Sequence, residues 1–285
     1  MSYKNPDALV DTDWLARHMN APDVRIVDAT FYLPSDERSA VEEYGFRHIA
    51  GAVFFDIEDI ADKDTDLPHM LPSPEKFSSR VGSLGLGDGS RIVVYDSSGG
   101  FMAACRVWWM FRLFGHSDIA VLDGGLPKWG KEKRPVNDHE VIPQARHLTA
   151  RKNNMAVRSL GQMMANLESG QAQIIDARSP GRFDGIDPEP RPTKKCGHIP
   201  GSVNVPFVQL LNPKENFTFK SADQIKAAFD SAGIDLSKPI ITSCGSGVTA
   251  AVVTFALHLI GREDVPVYDG SWAEWGDHAN TPVGP

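Results

Sequence analysis

The chain has 285 residues, of which 41% are hydrophobic and 23% are charged, a composition typical of globular proteins and a length sufficient for two domains. Its formal net charge of −8 argues against nucleic-acid binding. No apolar run has the length of a membrane helix, and the first residues lack a targeting pattern, so we expect a cytoplasmic protein.

Three cysteines, Cys105, Cys196 and Cys244, stand far apart in the chain. They form neither a CxxC pair nor a cluster with histidine of the kind that binds zinc. Disulfides are uncommon in cytosolic proteins, so we expect reduced thiols, with no metal and no organic cofactor. Small molecules and proteins are the expected partners, without nucleic acid or membrane.

The first half of the chain alternates short Val/Ile-rich runs with helix-like stretches. Near-continuous apolar runs of this kind are typical of parallel strands that are buried on both faces. They predict strands at residues 26–28, 52–56, 91–96 and 119–123. A first helix is predicted over residues 13–19, and the apolar stretch 101–114 predicts a buried helix that carries Cys105.

The second half repeats the first. VRIVDAT (24–30) aligns with AQIIDAR (172–178), so that Asp28 and Asp176 are 176 − 28 = 148 residues apart. LDGGLPKWG (122–130) aligns with YDGSWAEWG (268–276) at an offset of 268 − 122 = 146. Two copies exclude a solenoid and indicate a tandem pair of globular domains. The predicted fold is therefore α/β and doubled, with a mainly parallel sheet flanked by helices in each copy.

The polar stretch 131–154 has no clear periodicity and separates the copies. We predict an N-terminal domain over residues 1–135, a linker over 136–155 and a C-terminal domain over 156–285. Strands are predicted in the second copy at residues 174–176, 202–205, 239–243 and 265–269.

Three helices are predicted in the second copy, over residues 159–167, 221–233 and 250–260. The helix of residues 221–233 carries the clearest signals. Ser221 is the predicted N-cap with Gln224 as its capping-box partner, and Gly233 is the predicted stop.

The stretch SCGSGVTA (243–250) follows a predicted strand and leads into an apolar helix, so residues 244–249 are predicted to form a loop. Gly245 and Gly247 permit dihedrals that let successive N–H groups converge on an anion at a helix N-terminus. A thiolate at Cys244 would be stabilised there and would act as a nucleophile. The position equivalent to Cys244 in the first copy is Asp96, which argues against a core role that both copies share.

Cysteine phosphatases place an arginine six residues after the nucleophile, because a phosphoryl dianion needs a bidentate guanidinium. That position is Ala250 here, which argues against a phosphatase. A loop without internal charge suits a smaller cargo, such as a sulfane sulfur held as a persulfide on Cys244.

Several motifs resemble those of two-domain rhodaneses, most closely the 3-mercaptopyruvate sulfurtransferases. They are the loop CGSGVTA (244–250), the blocks HIAG (48–51) and HIPG (198–201), DLPHMLP (66–72), VWWMFRLFG (107–115), GRFDGIDPEPRP (181–192) and DGSWAEWG (269–276). Thiosulfate-type rhodaneses resemble C-R-K-G-V-T at the loop, where this chain has Gly245 and Ser246. The resemblance therefore implies a mercaptopyruvate-type enzyme whose N-terminal domain is inactive.

The resemblance also implies roles for individual residues. Arg182 and Arg191 would hold the carboxylate and the ketone of the substrate. Asp56, His69 and Ser246 would form a relay that assists Cys244. The remaining loop residues that we expect to contact substrate are Gly245, Gly247, Val248 and Thr249. Because Asp56 and His69 belong to the first copy, the active site would lie between the domains.

These observations lead to a sulfurtransferase hypothesis, in which Cys244 takes sulfur from 3-mercaptopyruvate as a persulfide and passes it to a thiol or to cyanide. Thioredoxin is one candidate thiol acceptor. Two alternatives stay open at this stage: a thiosulfate sulfurtransferase, and a non-catalytic module that carries persulfide to a protein partner.

Overall fold

The structure is a computed structural model that describes residues 2–98 and 102–284. Its strands are β1 (Leu9–Val10), β2 (Val24–Asp28), β3 (His48–Ile49), β4 (Ala52–Phe54), β5 (Arg91–Tyr95), β6 (Ile119–Leu122), β7 (Val136–Asn137), β8 (Val157–Arg158), β9 (Gln173–Asp176), β10 (Ser202–Asn204), β11 (Leu211–Asn212), β12 (Thr218–Phe219), β13 (Ile240–Ser243) and β14 (Val267–Tyr268).

Its α-helices are α1 (Thr12–His18), α2 (Ala40–Phe46), α3 (Ile57–Ile60), α4 (Pro74–Ser83), α5 (Met102–Leu113), α6 (Gly125–Lys131), α7 (Leu160–Ser169), α8 (Pro180–Phe183), α9 (Ala222–Ser231), α10 (Val248–Leu259) and α11 (Ser271–Trp275). Short 3₁₀ turns lie at Pro6–Ala8, Pro34–Asp36, Asn154–Ala156, Phe207–Leu210 and Pro213–Glu215.

Two five-stranded sheets carry the fold, and every pair of neighbouring strands in them is parallel. The first sheet has the order β1-β6-β5-β2-β4, and the second has the order β8-β14-β13-β9-β10. Each strand thus occupies the same place as its counterpart in the other copy. The α/β fold of two similar units, predicted from the repeats, is confirmed. In such sheets the carboxyl ends of the strands meet at one edge, which is where Asp96 and Cys244 follow β5 and β13.

Helix boundaries follow the predicted capping signals closely. Ser221 caps α9 through a capping box with Gln224, and Gly233 stands beyond its end with a φ of +78°. The main departure is α10, which begins at Val248 rather than at residue 250. Gly247, at a φ of +76°, serves as its N-cap, so that the helix also includes the β-branched pair Val248 and Thr249. The loop between β13 and α10 is therefore only residues 244–247.

The segment predicted as a linker, residues 136–155, lies against the N-terminal domain along much of its length. It begins with β7, which pairs antiparallel with β3. The N–H of Arg146 donates to the Gly82 carbonyl at 2.9 Å, and Leu148 is buried in the core. The connection therefore contributes to the packing of the first domain.

The two domains share one hydrophobic core, which runs across their interface. Helices α5 and α10, which are equivalent in the two copies, pack against each other there. Trp108 meets Phe255 edge to face with ring centroids 4.8 Å apart, an arrangement that aromatic pairs favour. Cys105 lies fully buried on α5, and burial raises the pKa of its thiol well above the ordinary range.

Two equivalent aspartates, one in each domain, accept hydrogen bonds from the other domain across this interface. The N–H of Phe219 donates to Asp123 Oδ1 at 3.0 Å, and the N–H of Leu71 donates to Asp269 Oδ2 at 2.9 Å. Each domain thus presents a carboxylate to a backbone amide of the other. Asp269 also forms an ion pair with the buried Arg106. Burial raises the pKa of Asp123 to about 6.

No helix within residues 2–98 and 102–284 combines the length and the apolar character that a membrane crossing requires. The same residues contain no group of three or more His, Cys, Asp or Glu side chains placed to share a metal ion.

The raised pKa of Asp123 makes stability depend on pH. A carboxyl whose folded-state pKa lies above the unfolded value of about 4 stabilises the fold below about pH 4, and this contribution is lost as the pH rises through about 6. Asp123→Asn keeps an acceptor for the Phe219 N–H without the charge. At about pH 7 we expect it to raise the free energy of unfolding by about 1–2 kcal/mol over wild type, and near pH 4 we expect no difference.

Urea titrations of both proteins at the two pH values measure this effect, with Asp230→Asn as the control because Asp230 is an exposed carboxylate on α9. An Asp123→Asn variant that is less stable than wild type at neutral pH contradicts the assignment.

Candidate active site

A cavity of about 210 Å³ lies between the two domains at the carboxyl edge of the second sheet. The N-terminal domain supplies an apolar wall, and the C-terminal domain supplies the loop after β13 together with the charged side chains. The lining residues are Phe31, Leu33 and Met102 from the first domain and Arg182, Glu189, Pro190, Arg191, Thr193, Phe207, Cys244, Gly245, Ser246, Val248, Thr249 and Ala273 from the second.

Cys244 is 2% exposed, stands directly after β13 and lines this cavity. Its backbone is fixed by the segment that follows β14. The N–H of Cys244 donates to Ser271 Oγ at 3.2 Å, and its carbonyl accepts from the N–H of Trp272 at 2.9 Å. These contacts hold the thiol at the end of the strand, where the cavity gives a small molecule access to it.

The backbone amides after Cys244 are available to an anion. Gly247 caps α10 without a side-chain hydrogen bond, and no N–H from Gly245 to Thr249 donates to an atom of the described residues. Unpaired amides at the start of a twelve-residue helix favour negative charge, because the helix dipole and the N–H groups act together. This is the arrangement that stabilises a cysteine thiolate or a persulfide anion.

The equivalent position in the first domain is filled by a carboxylate. Asp96 accepts from the N–H of Ser98 at 3.1 Å, from Ser98 Oγ at 2.7 Å and from the N–H of Ala104 at 3.1 Å. Burial raises the pKa of Asp96, and these donors oppose that effect. The N–H groups of Ser98 and Ala104 therefore bind the carboxylate that stands where the second domain has its thiol.

Arg182 reaches the cavity from α8 and pairs with Glu189. Its Nε donates to Glu189 Oε2 at 3.1 Å, and its Nη2 donates to the same oxygen. Gly245 makes room for this guanidinium, since a Cβ at that position would lie 2.5 Å from Arg182 Nη2. The observed position of the Arg182 guanidinium therefore requires a glycine at position 245.

Arg191 of the second domain lines the pocket and pairs with Glu58 of the first domain. The distance between Arg191 Nη2 and Glu58 Oε1 is 3.6 Å. The same carboxylate oxygen lies 3.2 Å from His69 Nδ1. Contact with His69 lowers the pKa of Glu58, whereas burial lowers the pKa of His69 despite that neighbour.

The relay suggested by resemblance is only partly assembled. Asp56 caps α3 by accepting from the N–H groups of Glu58 and Asp59, and it is Glu58 that lies beside His69. His69 is buried and packs edge to face on Phe31, with ring centroids 4.9 Å apart, so Phe31 forms the cavity wall next to it. Ser246 does line the cavity, and its hydroxyl makes no hydrogen bond to the described part of the chain.

Of the substrate-binding residues inferred from the motifs, the cavity brings together Arg182, Arg191, Gly245, Val248 and Thr249 with Cys244. Gly247 does not line it but shapes the loop as the N-cap of α10. Sequence reasoning missed Glu58 and Glu189. Glu189 stood within the motif GRFDGIDPEPRP, and the only signal for it was its position between two prolines beside an arginine.

Comparison with known proteins agrees with this geometry. The rhodanese-like domain family matches the chain twice, over residues 11–132 and 159–278. The chain belongs to the rhodanese family. It is similar to the human 3-mercaptopyruvate sulfurtransferase, with 42% identity over 94% of this chain and 91% of that protein. It is also similar to the bovine thiosulfate sulfurtransferase, with 43% identity over the same shares of the two chains.

Among solved structures, this rhodanese resembles SseA from Escherichia coli, described as a 3-mercaptopyruvate sulfotransferase. The two share 40% identity and superimpose with a TM-score of 0.85 over 94% of this chain and 99% of the other. The resemblance to two-domain rhodaneses inferred from the motifs is therefore confirmed.

In this rhodanese, a fully buried arginine connects the N-terminal domain to the cysteine loop. Arg106 lies on α5, and its Nη1 donates to the Gly247 carbonyl at 3.3 Å while its Nη2 donates to the His69 carbonyl at 2.6 Å. The same Nη2 lies 2.6 Å from Asp269 Oδ1. Stacking on Trp109, with the guanidinium carbon 4.4 Å from the ring centroid, completes its surroundings.

Arg106→Lys tests this connection. A lysine keeps the charge but offers one ammonium, which cannot replace the planar fork that serves two carbonyls and a carboxylate. We expect the free energy of unfolding to fall by about 1–3 kcal/mol, because a buried carboxylate and two carbonyls lose part of their pairing. Urea unfolding measures it, and Arg112→Lys on the same helix is the control, because its guanidinium makes a long hydrogen bond to the Ser117 carbonyl and a cation–π contact with Trp108, and a lysine can keep both kinds of contact. Equal losses in both variants contradict the prediction.

Proposed function

We propose that this chain is a 3-mercaptopyruvate sulfurtransferase. One observation carries the proposal: Cys244, the free amides of the loop after it and two arginines face the same cavity, while the loop has no charged side chain. Such a site suits a donor that carries one carboxylate beside a carbonyl. The human relative and the E. coli structure, which are named for this activity, support it.

In the first half-reaction, the Cys244 thiolate attacks the sulfur of 3-mercaptopyruvate. An S–S bond forms, the bond between carbon 3 and sulfur breaks, and its electron pair leaves with pyruvate as the enolate, which then takes a proton. The loop amides stabilise the attacking thiolate and the Cys244 persulfide anion that remains. Arg182 and Arg191 hold the carboxylate and the carbonyl of the donor, so that its sulfur meets the thiol in a productive orientation.

In the second half-reaction, an acceptor removes the outer sulfur. A thiolate attacks it, the S–S bond of the persulfide breaks, and Cys244 is released as a thiolate while the acceptor becomes a persulfide. Cyanide would leave as thiocyanate by the same step. A thiol is the proposed acceptor, with thioredoxin as one candidate, and the cytosol is the proposed compartment.

Ser246 is the proposed hydroxyl that contacts the donor, because it lines the cavity two residues from Cys244. A contribution of His69 and Asp56 stays a proposal. His69 does not line the cavity, so its contribution would have to pass through Phe31, which packs on it and lines the cavity, or through Glu58, which touches both His69 and Arg191.

Thiosulfate is the second candidate donor, because the bovine relative is named for it at 43% identity. Measuring kcat/KM for both donors on one preparation separates the two activities. We expect the preference for 3-mercaptopyruvate because Gly245 and Ser246 add no cation to the loop. A clear preference for thiosulfate would contradict the proposed donor while leaving the sulfurtransferase chemistry intact.

Cys244→Ser should abolish turnover, because the serine hydroxyl is neither ionised at neutral pH nor able to form a persulfide. Mass spectrometry after incubation with 3-mercaptopyruvate should find one added sulfur on the wild-type peptide that contains Cys244, and none on the variant. Cys196→Ser is the matched control, because it removes an exposed thiol and should leave labelling and turnover unchanged. Sulfur on another residue would overturn the mechanism.

Gly245→Ala should weaken donor binding without loss of stability. The added methyl group would lie 2.5 Å from Arg182 Nη2, and the end of a flexible side chain can move away from it. We expect KM for 3-mercaptopyruvate to rise about tenfold with a smaller change in kcat. The reason is that the displaced Arg182 would bind the donor carboxylate less tightly in the ground state and in the transition state alike. Gly161→Ala on α7 is the control, because its new Cβ would meet no atom within 4 Å. An unchanged KM would show that Arg182 does not hold the donor.

A further inference from the structure

Glu189 is a carboxylate that faces the sulfur-donor cavity although both proposed donors are anions. Its side chain is 8% exposed, and it lines the cavity next to Arg182 and Arg191. We propose that Glu189 limits the negative charge that the cavity accepts, and so makes this chain select monoanionic sulfur donors over dianionic ones. The proposal rests on the proposed sulfurtransferase function and extends it to a residue that determines specificity.

The carboxylate is held rigidly from behind. Glu189 Oε1 accepts from Arg178 Nη1 at 2.7 Å. Arg178 itself is fully buried, donates three hydrogen bonds to Asp176 and one to the Gly197 carbonyl, and stacks on Trp272. If Glu189 turned away from the cavity, Nη1 of this buried arginine would lose its carboxylate and keep only the Arg182 carbonyl, 3.4 Å away, which is costly.

The charges around the cavity are nearly balanced before a donor enters. The second carboxylate oxygen of Glu189 accepts two hydrogen bonds from Arg182, and Glu58 lies 3.6 Å from Arg191. No lysine lines the cavity among the described residues. One donor carboxylate can share the two arginines with these partners. A second negative charge would face Glu189, whose side chain is 8% exposed, and like charges repel more strongly beside a buried group than in water.

A purely orienting role for Glu189 predicts something different. If the carboxylate only positions Arg182, its removal lowers the rate for every anionic donor by a similar factor. If it limits the accepted charge, its removal changes the ratio of rates between donors of the same shape and different charge. The ratio therefore separates the two roles.

Methanethiosulfonate and thiosulfate form such a pair. Both carry a terminal sulfane sulfur on a tetrahedral sulfur centre, but the first is a monoanion and the second a dianion. In each case the Cys244 thiolate attacks the sulfane sulfur, the donor S–S bond breaks, and methanesulfinate or sulfite leaves with the electron pair. Cyanide then takes the sulfur from the persulfide as thiocyanate, so one colorimetric assay serves both donors.

Glu189→Gln is the test variant, with kcat/KM measured for both donors. We expect the ratio of methanethiosulfonate to thiosulfate to fall about tenfold from its wild-type value, which corresponds to about 1.4 kcal/mol. Asp184→Asn is the matched control, because Asp184 is an exposed carboxylate near Arg182 that does not line the cavity, and its ratio should equal that of wild type. An unchanged ratio in a folded Glu189→Gln protein overturns the proposal.

Ser246→Lys provides a second test that leaves the buried ion pair intact. The lysine adds a positive charge to the loop, which compensates for the negative charge of Glu189, so we expect the ratio of methanethiosulfonate to thiosulfate to fall. An unchanged ratio counts against the proposal even if Glu189→Gln fails to fold. Turnover of 3-mercaptopyruvate by wild type is measured alongside. Its absence would refute the proposed function while the charge ratio is still measured, whereas normal turnover with unchanged ratios refutes the role of Glu189 alone.

Discussion

The guanidinium of Arg106 binds the two domains together beside the cysteine loop. It starts from helix α5 of the N-terminal domain and contacts the carbonyls of His69 and Gly247 and the carboxylate of Asp269. Through Gly247 it reaches the turn that ends the cysteine loop, and through His69 it reaches the segment behind the apolar wall of the cavity. Separating a buried charge from its partners is costly, so these contacts fix the two cavity walls relative to each other.

This constraint gives the first copy a structural role beside the cysteine loop. The two copies pair through equivalent helices and through equivalent aspartates, yet they differ at positions around the cavity. Arg106 corresponds to Val252 on the partner helix, and Cys244 corresponds to Asp96. The Asp96 carboxylate accepts from the N–H groups of Ser98 and Ala104. The first domain thus supplies an apolar wall and an anchoring cation, and the second supplies the thiol and the two arginines that line the cavity.

Much of this could be predicted from the sequence, because repeats and apolar runs are local in the chain. The spacing of residues in the sequence was enough to predict the strand positions and the capping box at Ser221. The same spacing showed that Asp96 stands in the first copy where Cys244 stands in the second. The start of α10 was wrong by two residues, since Val248 and Thr249 have low intrinsic helix propensity and the αL conformation of Gly247 was not visible. Arg106 and Glu58 were missed because each pairs with a residue distant in sequence, such as Gly247, which is 141 residues from Arg106. Glu189 was missed although Arg178 and Arg182 lie within 11 residues of it, because the irregular path of the chain between them decides which side chains meet.

The close approach between Gly245 and Arg182 also bears on how donor preference can change in evolution. In the arrangement seen here, a side chain at position 245 and the guanidinium of Arg182 compete for the same space. A loop that gained a cation at this position would have to give up the present Arg182 conformation at the same time. Exchange of one donor for another would then require coupled substitutions in two separate segments, because an intermediate with only one of them would bind neither donor well.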